Sequence, residues 1–395
     1  GFSQVLTSED SLAAGLIAKD QATIFSGYGE AKYSYDIQRV TSQASLKRAV
    51  LFVGHKFNNK ISLFTEMELE DAVVAGGAGS DEGNRESGGI SMEQAFLKFD
   101  INPNTYIVGG LFIPRIGITN ENHLPTTFNG TDRPYVEQFV IPATWREIGV
   151  GLYGTIPTIQ GLNYSLGLTN GLNSGNFTNG SGIRSGRQLG SKTRGFNLAL
   201  TGSLLYYTGK FRLQASGYIG GSTGEEQRVA DSLLLDSGPF ANPVQLGEAN
   251  LQYNDGALSL KALAAFVHIS KADEINRAYA NNTPENIAGA YAEAAYNLFY
   301  AKYKNEKALN VFARYEYLNL SSSVAKNGVQ NDANRQHYII AGITFKPIRG
   351  VAVKADYTHR TTGEQNPALI VTPFPQQVPY FKSNGFINVG VAYNF

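Results

Sequence analysis

The sequence predicts an all-β fold: an antiparallel transmembrane β-barrel of about 16 strands, with long loops on one rim, short turns on the other and a third loop folded inward. Three observations carry this expectation. From Ala22 onward apolar residues recur with a period of two and hardly ever leave it, which marks strands with one apolar and one polar face. The connections between these runs alternate between short and long. The stretch from Phe112 to Gly154, FIPRIGITNENHLPTTFNGTDRPYVEQFVIPATWREIGVGLYG, holds a connection rich in Pro, Asn and charge. At roughly thirty residues it is a length rare inside a compact soluble domain.

Composition narrows the alternatives. The 395 residues carry Lys+Arg 33 against Asp+Glu 33, a formal net charge of +0, so a bulk electrostatic attraction to nucleic acid or to anionic lipid is not expected. Cys is 0, which removes disulfides, thiolate metal sites and thiol catalysis together. No apolar run approaches the roughly 18 residues of a membrane-spanning helix, and mean hydropathy is −0.20. Barrel strands nevertheless hide their lipid face from a hydropathy window, because only alternate residues are apolar. The first residues, GFSQVLTSED, show neither the basic head nor the apolar core of a secretory signal.

In chain order, Asp10 to Lys19 predicts a short helix with Asp10 or Ser11 as N-cap and Leu12, Ala13, Leu16 and Ile17 on one face, too short to be stable alone. Residues 1–21 are therefore expected to form an N-terminal arm packed in or under a barrel formed by 22–395. Alternation then begins. Phe25, Gly27, Gly29, Ala31 and Tyr33 interleave with Ser26, Tyr28, Glu30 and Lys32, and Ile61, Leu63, Thr65, Met67 and Leu69 face away from Ser62, Glu66, Glu68 and Glu70. The pattern recurs around 92–101, 105–113, 145–156, 162–169, 196–206, 211–219, 245–253, 257–269, 287–300, 308–318, 336–346, 351–360 and 385–395, each about the length of a tilted strand crossing a bilayer. Short connections at Asn58-Asn59, Asn102-Pro103-Asn104, Asn254-Asp255-Gly256 and Lys304-Asn305-Glu306 carry turn-favouring residues. Long ones are expected near 36–46, 71–90, 114–144, 171–193, 221–243, 270–286, 320–335 and 361–384. Soluble sandwiches and propellers have no reason to sort connections by length in this way.

The last strand, NGFINVGVAYNF, puts Ile387, Val389, Val391, Tyr393 and Phe395 on one face and stops at the aromatic. It resembles the C-terminal signature of bacterial outer-membrane barrels. The long connection resembles the phosphate-selective porin O/P family more specifically. Gly109-Gly110-Leu111-Phe112-Ile113-Pro114-Arg115-Ile116-Gly117 looks like its turn out of a strand, and Glu137-Gln138-Phe139 like its acidic-aromatic loop segment. Arg146-Glu147-Ile148-Gly149-Val150-Gly151-Leu152-Tyr153-Gly154 looks like its return strand, and Leu46-Lys47-Arg48-Ala49-Val50 like its basic second strand. The resemblance implies a 16-stranded, often trimeric outer-membrane channel for small anions, with the third loop narrowing the lumen.

Charge tempers that implication. By alternation the lumen face carries Lys32, Arg48, Lys56, Lys98, Arg212, Lys261, Arg314, Lys354 and Arg360, but also Glu30, Glu66, Glu68, Glu70, Asp100, Glu293, Glu316 and Asp356. An unopposed basic ladder would concentrate anions; mixed signs predict weak selectivity instead. The expected constriction or solute-contact residues are Arg115, Glu121, Arg133, Glu137 and Glu147, with Arg48, Lys98, Arg314 and Lys354 on the lumen wall. For any one of these, a solvated lumen or loop position is the default against a solute contact. Arg146 shares parity with Ile148 and Val150 and is expected at the rim.

Other motifs point nowhere. Gly149-x-Gly151-x-x-Gly154 matches the dinucleotide fingerprint without its strand-then-helix context. His55, His123, His268, His337 and His359 show no metal-ligand spacing, and no nucleophile elbow occurs. Gly76 to Gly79 with Asp81, Glu82 and Glu86 reads as an acidic external loop, with calcium binding as the lesser alternative. The expectation is a non-enzymatic porin for passive diffusion of small polar or anionic solutes. It would sit in outer-membrane lipid with no cofactor, metal or nucleic acid, as a homotrimer or beside a partner outer-membrane protein. The alternative is a closed barrel serving as anchor or subunit of an outer-membrane assembly.

Overall fold

The structure, a computed structural model, describes residues 22–71, 89–224, 226–304, 306–370 and 379–395. The expected arm (1–21) and the acidic tip with Asp81, Glu82 and Glu86 lie outside the described residues. Sixteen strands form: β1 (Thr23–Asp36), β2 (Thr41–Lys56), β3 (Ile61–Glu70), β4 (Ile90–Asn102), β5 (Thr105–Phe112), β6 (Glu147–Thr155), β7 (Leu162–Asn170) and β8 (Leu198–Thr208). They continue with β9 (Phe211–Gly220), β10 (Val244–Asp255), β11 (Leu258–Ile269), β12 (Pro284–Asn297), β13 (Ala308–Val324), β14 (Arg335–Ile348), β15 (Val351–Thr362) and β16 (Ser383–Asn394). Each pairs antiparallel with the next, and β16 returns to β1 with Tyr393 opposite Gly29, so the barrel closes. Closure removes every free strand edge, as a bilayer requires.

The alternation sets the two faces. On β14 Ile339 is 57 % exposed while its neighbour Ile340 is 2 % exposed. Leu51, Ile148, Val150, Leu166, Leu204, Val353 and Val389 are likewise exposed on other strands. An apolar exterior of this extent is costly in water and fits acyl chains. Among the described residues no helix is long and apolar enough to cross a membrane.

Several boundaries differ from expectation. The first long connection, expected at 36–46, is a four-residue turn, because β1 ends at Asp36 and β2 begins at Thr41. The Thr41–Leu46 run is polar yet pairs with β1, so it carries no apolar alternation. The strand expected to reach Tyr300 ends at Asn297, whose Oδ1 accepts from the N–H groups of Phe299 and Leu309. Tyr300 then opens a short helix, Tyr300–Tyr303. The run from Trp145 becomes strand only at Glu147, since Trp145 is buried inside the barrel. Gly149, Gly151 and Gly154 all lie within β6, which leaves the dinucleotide fingerprint without its helix.

The core sits in the lumen. The third loop, between β5 and β6, carries a one-turn helix, α1 (Tyr135–Phe139). Its Ile116, Ile118, Val136, Val140, Ile141 and Trp145 pack with Leu246, Leu263, Val267 and Ile287 in one hydrophobic cluster. The inward face of β10–β12 is thus apolar where the loop covers it. Gly289 on β12 makes room, since a Cβ there would meet Val140 at 2.9 Å and Val136 at 3.0 Å.

Candidate functional site: the lumen and its inward loop

The third loop leaves the wall at Phe112, descends through the lumen and rejoins it at Glu147. At its start Gly117 has φ +77, and a Cβ there would meet Glu137 Oε2 and Ile141 at 3.0 Å. A left-handed residue pressed against its neighbours favours glycine. Glu137 on α1 then ties the loop to itself and to the wall. Its Oε2 accepts from the backbone N–H of Ile118 (2.8 Å) and of Thr119, and its Oε1 from the Tyr291 hydroxyl at 2.7 Å.

From this knot the loop reaches opposite sides of the barrel. Towards β9 and β10, Glu121 pairs with both Arg115 and Arg212, and the Gly117 N–H donates to Glu248 at 3.2 Å. On β12 and β13, Arg314 lies 3.6 Å from Glu293 and 3.4 Å from Glu316, while Val136 N–H donates to Glu316 at 2.9 Å and Asn129 donates to Glu293 at 2.9 Å. On β15, Lys354 donates to the Pro125 carbonyl at 2.5 Å and sits 3.8 Å above the Phe128 ring, and the Thr131 N–H donates to Asp356 at 2.8 Å. Two strands further round, on β1, Lys32 pairs with Asp132. Burial alone would raise the Asp132 carboxyl, but the adjacent Lys32 ammonium outweighs it and holds it below the ordinary aspartate value. On β3 and β4, His123 Nε2 stands 3.6 Å from Glu66 and 3.9 Å from Glu93, and the Thr144 hydroxyl donates to Glu93 at 2.8 Å.

The residues singled out by sequence engage these partners. Arg115 and Glu121 form a pair, Arg133 donates to the His123 carbonyl at 3.1 Å, and Glu147 accepts from Trp145 Nε1 at 3.0 Å and from Asn170 at 2.5 Å. Glu121, Arg133, Glu137 and Glu147 are all buried. Among the wall residues, Arg48 bridges Glu30 (2.9 Å) and Glu68 (3.3 Å), and Lys98 pairs with Asp100 at 3.0 Å above the Tyr106 ring. Arg146 is buried at the loop's end and donates to Ser91 at 2.9 Å. The mixed signs of the lumen therefore meet as specific pairs between loop and wall and along the wall.

Alternation did not reveal two further features. The fourth loop sends Arg184 onto the carbonyls of Gln138 (2.6 Å) and Ala143 (3.0 Å), and Arg187 onto those of Pro142 (2.8 Å) and Thr144 (3.0 Å). Burial, then the like charges of Arg184 and Arg146, push the Arg187 guanidinium down to about 9. Glu93 is the second feature. A register shift between Glu66 and Met67 in the β3–β4 pairing leaves both Glu93 and Gln94 buried, as expected where a bulge re-aims a side chain.

Below the loop, on the short-turn side, lies a cavity of ≈ 760 Å³. Asn122, Thr126 and Asn129 of the loop form its ceiling, and its charged lining is Lys261, Lys346 and Arg349 against Glu306.

No model of a known protein family matches the chain. It is 29% identical over 343 residues to an uncharacterized protein of Aquifex aeolicus (strain VF5), covering 84% of this chain and 74% of that one. Among solved structures, the anion-selective porin from Comamonas acidovorans superposes with TM-score 0.53 at 11% identity, over 94% of this chain and 99% of that one. Salmonella typhi OmpF, in complex with daunomycin, gives 0.55 at 13%, over 94% and 97%. The trimer form of OmpT, an outer membrane protein of Vibrio cholerae, gives 0.52 at 12%, over 94% and 99%. At these identities the likeness is one of fold: a porin-like 16-stranded barrel of the outer membrane, to which the apolar exterior of this chain is suited.

Proposed function

We propose that this chain is an outer-membrane channel for passive diffusion of small polar or ionic solutes, with the loop at 114–144 setting the size limit and anions weakly favoured. The observation that carries the reading is the polar cavity of ≈ 760 Å³ leading up to that loop, with Lys261, Lys346 and Arg349 against a single carboxylate, Glu306, in its lining. A cationic vestibule raises the local anion concentration at low salt. The anion selectivity named for the Comamonas porin and the resemblance of 109–154 to the phosphate-selective porin O/P family point the same way. Strict phosphate selectivity is not part of the reading, because Arg48, Arg115 and Arg314 are each neutralised by a carboxylate partner. Arg115, Glu121, Arg133, Glu137 and Glu147 then shape the constriction by fixing the loop, and Lys98 and Lys354 belong to the wall. The reading assigns no enzymatic role, and a homotrimer is proposed on the precedent of the OmpT trimer.

The loop bonds to strands right around the barrel, β1, β3, β4, β9, β10, β12, β13 and β15, and packs an apolar cluster against β10–β12. That arrangement also suits a closed barrel serving as anchor or subunit of an outer-membrane assembly.

Planar-bilayer recording separates the two. Folded protein, identified by heat-modifiable gel mobility, should give stepwise conductance with a modest anion-favouring reversal potential under a salt gradient. Replacing both Lys261 and Lys346 by Gln should move that potential towards zero. Absence of steps would favour the closed barrel, and a strong phosphate-over-chloride preference would contradict the charge pairing.

A further inference from the structure

Glu66 on β3, Glu93 on β4 and His123 on the third loop each offer one ligand atom, and these atoms lie within 4.8 Å of one another. All three side chains are shut away from solvent, at 1%, 0% and 0% exposure. Nothing in the chain's local sequence groups them; the inward course of the loop and the register shift in β4 do.

Four features mark this as a ligand set. The His123 Nε2 distances of 3.6 Å to Glu66 Oε2 and 3.9 Å to Glu93 Oε2 approach the roughly 3.3–3.6 Å between ligands of a tetrahedral ion bound at about 2.0–2.2 Å. The carboxylates are already oriented by outer donors: Tyr28 donates to Glu93 Oε2 at 2.7 Å, Thr144 to Glu93 Oε1 at 2.8 Å and Gln94 to Glu66 Oε2 at 3.0 Å. Such partners fix the ligands of a metal. The other oxygen of Glu66, Oε1, is buried and accepts no hydrogen bond among the described residues, a state a buried carboxylate does not hold without compensation. The surrounding charge is also unbalanced. Glu30, Glu66, Glu68 and Glu93 are buried beside the guanidiniums of Arg48 and Arg133 and the His123 imidazole, so carboxylates outnumber cations here among the described residues even with His123 protonated.

We propose that Glu66, Glu93 and His123 bind one divalent first-row transition metal, of the zinc class, which fastens the third loop to β3 and β4. An imidazole with two carboxylates suits such an ion, whereas magnesium and calcium prefer oxygen ligands throughout. The doubly positive ion offsets the surplus of buried carboxylates and gives the Glu66 carboxylate, whose Oε1 has no hydrogen-bond donor among the described residues, a positive partner. Its role is structural, and the proposal does not depend on whether the barrel conducts.

The test uses the full chain folded in detergent, stripped with EDTA, exposed to Zn²⁺ or Co²⁺ and freed of loose ions by gel filtration. Bound metal is then measured by elemental mass spectrometry, and Co²⁺ also by its ligand-field absorption. Wild type should retain about one ion per chain, as a three-ligand zinc site does, and its unfolding midpoint should rise with metal. Glu66→Gln and His123→Ala should abolish retention and the shift, and Tyr28→Phe should weaken binding by about 10–100-fold. His55→Ala, remote from the cluster and bonded to Thr23 and packed on Phe57 near the short-turn rim, should change nothing. If His123→Ala fails to fold by gel mobility, Glu66→Gln carries the comparison. Folded wild type that retains no metal would overturn the proposal. Equal retention in wild type and in Glu66→Gln would overturn it too, as adventitious surface binding.

Discussion

Glu137 shows how the charges of the third loop are used. Grouped by sequence with the constriction or solute-contact residues, it has both oxygens occupied, by the N–H groups of Ile118 and Thr119 and by the Tyr291 hydroxyl. Replacing a buried acceptor leaves its donors unmet, at about 1–3 kcal/mol for each group. Glu137→Ala should therefore loosen the loop while the barrel stays closed. The expected outcome is more frequent conductance transitions with unchanged heat-modifiable mobility; an unaltered current trace would show that this carboxylate does not hold the loop. Its place in the chain was legible as an acidic residue within a long, aromatic loop segment. Its partner was not, because Tyr291 lies on β12, remote in sequence and brought near only by the inward fold.

At the scale of elements, period two was a reliable guide wherever a strand crosses lipid, since the bilayer demands an apolar residue at every second position. It failed where that demand lapses. Thr41–Leu46 extends β2 in a polar run, which reads as loop. β10–β12 carry apolar residues on the inward face as well, because the loop buries Leu246, Leu263, Val267 and Ile287. A parity rule that assumes a wet lumen cannot anticipate such a core. Glu93 escaped for a related reason, the register shift opposite Glu66 that breaks parity on β4. The seat for α1 makes the element-scale prediction. Gly289→Phe would drive a ring into Val136 and Val140, and overpacking typically costs about 1–3 kcal/mol. The loop should be displaced and become more susceptible to added protease than in wild type, while Gly247→Phe, at a wall position with nothing within 4 Å of a Cβ, should not have that effect.

For the whole molecule, the barrel and the loop are two layers of one folding unit. The exterior is apolar for lipid, and the lumen is filled by a segment whose ion pairs and apolar contacts reach opposite walls. Although the chain is balanced, +0 overall, the short-turn vestibule keeps a cationic excess of its own. Solute passage on this account is governed by how much of the lumen the loop occupies. The most direct measurement is single-channel conductance of the full chain beside a variant lacking residues 120–140, both shown to be folded by heat-modifiable mobility. If the loop sets the size limit, the full chain should give small steps and the deletion steps several-fold larger. Equal conductance in the two, or a silent deletion variant, would contradict that role.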